Sequence, residues 1–197
     1  MAGHFEPVPG GGAAVALDEV EISILRSLAV QLLELIGPGD EPVEGEDPLA
    51  ALFAEGPSEP PSDPALARLF PEAYAGPDVD AEDEELRQAS AEFRRFTEHD
   101  LRSRKRDDAL VVVRTLDALT AGGDGGAVLK LTGDDCRSWL GSLNDLRLTI
   151  GTRLEVSDED ETGDLYRLPD SDPRKPMVMA YLWLGALQES LVETLMS

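Results

Sequence analysis

A chain of 197 residues with 40 acidic and 17 basic side chains has a formal net charge of −23, a field that repels nucleic acid and anionic membranes at long range. One cysteine, Cys136, excludes an intrachain disulfide framework and points to a reducing compartment, and two histidines, His4 and His99, offer no paired spacing for zinc. With 42% apolar residues, the chain is long enough to bury a core without help from a metal or disulfide.

Residues 5–8 and 13–17 read as short extended runs around Pro9 and Gly10, Gly11 and Gly12, which predicts a loose hairpin. Residues 1–9 carry neither the basic start nor the apolar run of a signal peptide, so a cytoplasmic location is expected. Asp18 then stands as an N-cap with Glu21 three residues on. Leu25, Leu28, Leu32 and Leu35 repeat at helical spacing until Gly37 and Pro38 end the helix.

Residues 37–64 hold seven prolines, four glycines and eight acids, with no Lys or Arg. Missing backbone donors and like-charge repulsion predict a mobile acidic linker, with helical turns at most near 48–54 and 64–70. A helix is predicted over 81–96, with Leu86, Ala89, Phe93 and Phe96 on its apolar face and Glu82 to Glu85 suiting its positive end. Thr97 with Asp100 reads as the cap of a further helix to about residue 120, striped by Ala109, Val112, Val113, Leu116 and Leu119. One long kinked helix and two separate helices both fit this pattern.

After a glycine turn at 122–126, the apolar run 128–131 can extend the N-terminal hairpin by one strand. Thr132 and Asp135 cap the next helix, whose stripe is Cys136, Trp139, Leu140, Leu143, Leu146 and Ile150. An acidic loop follows at 157–164. Asp172 and Pro173 are expected to open a last helix carrying Met177, Tyr181, Leu184, Leu187, Leu191 and Leu195, with Gly185 allowing close helix approach. The most apolar window, 177–187, is about half the roughly 20 residues that span a bilayer. The fold class expected is mainly α: one multi-helix domain over 1–197 with a small N-terminal hairpin, interrupted by the linker at 37–64.

The chemical inventory is thin. The glycine turn lacks the Lys and Ser or Thr of a phosphate loop. Asp158, Asp160, Thr162 and Gly163 start like a calcium loop, but its twelfth position is Pro169, which cannot ligate. Hence no catalytic residue, metal or cofactor is expected. Cys136 fits a small hydrophobe on the apolar stripe; a redox thiol is the alternative, favoured by the helix N-terminus and opposed by Asp134 and Asp135. Asn144, Asp145 and Arg147 read as a structural polar network.

One segment opposes the global charge. Residues 87–106 carry Arg87, Arg94, Arg95, Arg102, Arg104, Lys105 and Arg106 against Glu92, Glu98 and Asp100, a local net of +4. Internal pairing, a protein-contact surface and phosphate binding all fit such a cluster, phosphate least because the whole-protein field opposes it. Arg94, Arg95, Arg102, Arg104, Lys105 and Arg106 are the candidate contact residues. They flank the apolar stripe, so reversing the charge of Arg102, Arg104, Lys105 and Arg106 is expected to leave the fold intact.

Several strings are similar to a known family. Trp139–Leu140, then Leu143 to Leu148, Gly151, Arg153 and Leu154 are one; Tyr181 to Gly185 with Leu187 to Glu189 are another; Phe93 to Arg95 with Leu101, Arg102 and Lys105 are a third. They resemble a family of actinobacterial proteins classed as a domain of unknown function, whose members are known as AosR, the actinomycete oxidative-stress transcriptional regulator. The resemblance implies a cytoplasmic, redox-responsive regulator that acts on promoters with the help of an RNA polymerase sigma factor. An intramolecular disulfide switch would need a second cysteine besides Cys136. This leaves open a lost switch, an intermolecular disulfide, or regulation that is not redox. The reading is a non-enzymatic, transcription-associated regulator working mainly through protein contacts, with a sigma factor or RNA polymerase as the implied partner. It is expected to bind DNA weakly alone and not to enter membranes. A protein-binding adaptor outside transcription is the alternative, and a hydrolase stands third.

Overall fold

The computed structural model describes residues 3–38, 56–74, 84–119, 126–156 and 167–197. Strand β1 (Glu6–Pro7) and strand β2 (Ala13–Asp18) form the predicted hairpin, with Glu6 opposite Ala14 and Pro7 opposite Ala13. Gly12, at φ 121°, closes the turn against β3: a Cβ there would lie 2.2 Å from the Leu131 carbonyl oxygen. Strand β3 (Gly126–Leu131) adds antiparallel to β2, from Ala13 opposite Leu131 to Asp18 opposite Gly126, giving the order β1-β2-β3. Val15, Leu17, Leu129 and Leu131 point inward, while Val128 is exposed.

Helix α1 (Glu19–Ile36) opens on the Asp18–Glu21 capping box, with each side chain accepting from the other's backbone N–H. It buries Leu25, Ala29, Leu32 and Ile36, with Leu28 and Leu35 partly covered. Of the predicted linker, residues 39–55 lie outside the described residues, and 56–63 run without helix or strand. Helix α2 (Pro64–Leu69) follows, capped by Asp63, which accepts from the N–H groups of Ala65 and Leu66.

Helix α3 (Glu84–Asp117) settles the one-or-two question: it is a single helix of 34 residues, about 50 Å long. The predicted cap at Thr97 does not form. Its hydroxyl donates instead to the Phe93 carbonyl one turn back, 2.8 Å away, which lets the helix run on. A second expectation is corrected as well. Phe93 and Phe96 do not face the core; they are 48% and 63% exposed, and Ser90, Arg94 and Glu98 are buried in their place. Farther along, Ala109, Val112 and Leu116 are buried as their spacing predicts.

Helix α4 (Gly133–Arg153) begins at the Thr132–Asp135 capping box and is the hub of the packing, touching α1, α2, α3 and helix α5 (Lys175–Met196). Trp139 is fully buried, donates its indole N–H to Thr115 at 3.0 Å and meets Phe5 edge to face at 6.0 Å. The last helix starts two residues beyond the expected opening, with Asp172 accepting from the Arg174 N–H before the first turn. Its core face is Val178, Leu184, Leu187, Ser190 and Leu191; Met177 and Leu195, expected inside, are exposed at the helix ends. Ser190 and Thr194 bond the backbone of Phe5, tying the sheet to α5. Among the described residues, no helix is long and apolar enough to cross a membrane.

Candidate protein-contact site

The cationic segment of α3 is turned into the molecule. Arg94 is 6% exposed; it donates to Glu98 at 2.5 Å and to the Phe70 carbonyl at 3.1 Å. Glu98, 3% exposed, also accepts from Arg102 at 2.6 Å. Arg102 in turn reaches the Ile36 carbonyl at 2.5 Å and lies over the Phe70 ring at 4.4 Å. Arg106 donates to the carbonyls of Gly37 and Leu33.

The pattern has one physical cause. The last turns of α1 and α2 leave carbonyls that the helices themselves do not satisfy, at the negative ends of their dipoles. The last turn of α1 has no cation of its own. Arg102 and Arg106 supply charge to α1, and Arg94 does the same for Phe70 at the end of α2. Glu98 balances Arg94 and Arg102. The expectation that charge reversal of Arg102, Arg104, Lys105 and Arg106 leaves the fold intact is therefore corrected. Three of the four hold backbone ends or a buried acid, and reversal would set carboxylates against carbonyls and carboxylates.

Lys105 donates to Asp145 at 2.6 Å, where both side chains are largely buried. Burial pushes the Asp145 carboxyl above the ordinary carboxylate range; Lys105 opposes that rise and Asp108 adds to it. Arg147 points elsewhere, donating to Gln188 at 2.7 Å and lying over the Tyr181 ring at 5.2 Å and beside Gly185. Asn144 is exposed and sits beside Asp145. The three predicted network residues thus serve two separate interfaces, α3–α4 and α4–α5. Cys136 is fully buried in the core cluster, and burial pushes its thiol up.

With these charges inside, α3 carries aromatic and aliphatic groups to solvent around them. Phe96 points away from the buried charges, Phe93 and Leu101 flank them, and all three are exposed, with Leu101 at 38%. Tyr74, 46% exposed, meets the Phe93 ring edge to face at 6.2 Å. Beside them is a groove of about 200 Å³ lined by Phe70, Pro71, Ser90, Phe93, Thr97 and Leu101, with Arg94 and Glu98 at its floor. Of the remaining predicted contact residues, Arg104 is exposed and Arg95 lies over the Phe96 ring at 5.1 Å. Sequence reasoning grouped Phe93 and Phe96 on one face but took it for core. The usable signal was the buried-type spacing of Arg94, Glu98 and Arg102, which occupies the other side of the same turns.

Among the described residues, no group of three or more His, Cys, Asp or Glu side chains is arranged to hold a metal. The calcium-like residues Asp158, Asp160, Thr162 and Gly163 and the glycine turn at 122–125 lie outside the described residues.

Residues 2–195 match the family model described as Domain of unknown function (DUF2017). The chain is 31% identical over 182 residues to the Oxidative stress regulator AosR of Mycobacterium bovis, which covers 89% of this chain and 78% of that protein. The protein of the same name from Mycobacterium tuberculosis is similar to the same extent. No solved structure gives a significant match.

Proposed function

This chain belongs to the DUF2017 family, and from that membership we propose that it is a non-enzymatic, transcription-associated regulator of the oxidative-stress type that works in the cytoplasm through protein contacts. The relatives' printed name supports the regulator role. The observation that carries the mechanism is the inverted face of α3. Four candidate DNA-contacting cations, Arg94, Arg102, Lys105 and Arg106, are bonded within the fold, while Tyr74, Phe93, Phe96 and Leu101 are offered to solvent. Exposed aromatics beside a polar-floored groove suit a protein partner. A net charge of −23 does not suit a phosphate backbone.

The partner proposed is part of the transcription machinery, a sigma factor or RNA polymerase, and the contact surface is the apolar side of α3, with Arg95 and Arg104 at its edge. Cys136 is not the contact. Co-purification from cells, comparing the wild type with Phe93→Ser/Phe96→Ser, tests this reading. The variant is expected to lose the transcription machinery while keeping its helical circular-dichroism signal. Equal recovery by both proteins refutes the site. Tight, sequence-selective DNA binding by the isolated chain near physiological salt refutes the protein-mediated mechanism.

A further inference from the structure

Burying its cations leaves α3 with an acidic outer surface. Glu92 and Asp100 are exposed one turn to either side of Phe96, about 12 Å apart along the helix. Glu72, also exposed, lines the neighbouring groove. None of these three acids has an ion-pair partner among the described residues, whereas Arg94, Arg102, Lys105 and Arg106 are engaged by carbonyls and acids of the fold. Two cations stay near this surface: Arg95, partly buried over the Phe96 ring, and exposed Arg104, one turn beyond Asp100.

The groove lies between α3 and the strap 56–74. The Gly56 N–H donates to the Arg95 carbonyl at 3.0 Å, and the Tyr74 N–H to the Ser90 hydroxyl at 3.4 Å, so both ends of the strap rest on α3. The chain that continues from those ends adds acids alone: residues 39–55 carry six and residues 75–83 carry four, with no Lys or Arg in either. Nothing in the adjoining sequence therefore neutralises Glu72, Glu92 and Asp100. The groove itself asks for an apolar group. Its walls are Phe70 and Pro71 from the strap and Phe93 and Leu101 from α3, and its polar floor is already bonded: Arg94 to Glu98, Thr97 to the Phe93 carbonyl, Ser90 to Tyr74. At about 200 Å³ it is smaller than the roughly 300–1,000 Å³ of sites for whole small molecules, and it suits a single side chain of a larger partner. Nucleic acid and anionic lipid bring the wrong sign to this rim.

We propose that this face docks a cationic segment of a partner protein: one aromatic or aliphatic side chain enters the groove between Phe70 and Phe93, and Lys or Arg residues beside it pair with Glu72, Glu92 and Asp100. The proposal rests on the reading of this face as a protein-contact surface and names the chemistry of its partner. The field of a chain at −23 steers such a segment inward. At physiological salt, where exposed charges are screened beyond about 8 Å, the acids at the groove decide where it settles.

Fluorescence anisotropy tests it, with a labelled synthetic amphipathic helix built of Leu and Lys titrated with the full chain near physiological salt. The wild type is expected to bind this helix and to ignore the same helix built of Leu and Glu. Glu72→Gln/Glu92→Gln/Asp100→Asn should weaken binding roughly tenfold. Removing three exposed acids from β1 and α5, Glu6→Gln/Glu189→Gln/Glu193→Gln, should change it by less than about twofold. Phe93→Ser/Phe96→Ser should weaken it by roughly tenfold or more, and Arg104→Glu, which adds an acid beside Asp100, should tighten it. A wild type that does not bind the Lys helix, equal binding of the Glu helix, or equal losses from the two triple variants each overturns the proposal. The two readings fail separately. If the groove triple variant binds the Lys helix as the wild type does, while the serine variant still loses the transcription machinery, the surface stands and its partner has another chemistry. If the serine variant keeps the transcription machinery, the surface itself is refuted.

Discussion

The two halves of α3 solve burial in opposite ways. From residue 109 to 117 the helix follows the ordinary rule: Ala109, Val112 and Leu116 are inside, in the same core cluster as the apolar stripe of α4. From residue 84 to 106 the rule is inverted, with Arg94 and Glu98 inside, Lys105 and Arg106 bonded inward, and Phe93 and Phe96 outside. The difference comes from what each half meets. The second half meets apolar side chains, whereas the first meets the carbonyl ends of α1 and α2, which an apolar residue would leave unpaired. A helix therefore buries whatever its neighbours lack, and here that is positive charge. The side it leaves outside is then free to be apolar.

Removing the balancing acid should break the first half most severely. Glu98→Ala leaves Arg94 buried without its carboxylate and is expected to cost about 3–5 kcal/mol in urea unfolding. The ordinary half gives the calibration: Leu116→Ala opens a cavity and should cost about 2–5 kcal/mol by the same measurement. Comparable losses from a charge and from a leucine would establish that both halves are structural on their inner side. A cost near zero for Glu98→Ala would mean that the ion pairs are not part of the core.

Arg106→Ala sharpens the cause. It strips the Gly37 carbonyl of its side-chain donor and the end of α1 of one of its two cations, for an expected loss of about 1–2 kcal/mol. Hydrogen exchange should report that loss in the last turn of α1 before it appears elsewhere.

Asp145, on the boundary between the halves, gives a pH signature. Its carboxyl is raised above the ordinary range by burial, so the folded state holds this proton more tightly than the unfolded chain. Its contribution to stability is therefore most favourable below the unfolded value and declines as pH rises through the folded one. Asp117, held below the ordinary range by its hydrogen bond to Arg26, works the other way: its contribution is present above the unfolded value and is lost on acidification through the folded one. In urea titrations between pH 3 and pH 7, roughly the carboxylate range and above, Asp117→Asn should reduce the acid loss of stability. Asp145→Asn should instead remove an acid-side gain.

How far the sequence carries depends on whether the partners of a residue are near it in the chain. The Asp18–Glu21 and Thr132–Asp135 capping boxes close over three residues, and both form as their spacing predicts. The strand at 128–131 was legible from a short apolar run bounded by glycines, and it pairs with β2. Thr97–Asp100 imitates a capping box but lies within a continuous helix, because Thr97 bonds back to Phe93. The inversion of α3 was not legible. The acceptors for Arg94, Arg102 and Arg106 are the carbonyls of Phe70, Ile36 and Gly37, which are 24, 66 and 69 positions away and carry no side-chain signature. Periodicity showed that Phe93 and Phe96 share a side with Leu86 and Ala89, but it could not show which side the other helices occupy.

The smallest expected effect is also the most direct test of the inversion: urea unfolding of Phe93→Ser/Phe96→Ser. With both rings on the outer side and held by Tyr74 and Arg95, the unfolding free energy should fall by no more than about 1–2 kcal/mol for the pair. A loss of about 3–5 kcal/mol for each phenylalanine would place the rings in the core and contradict the account.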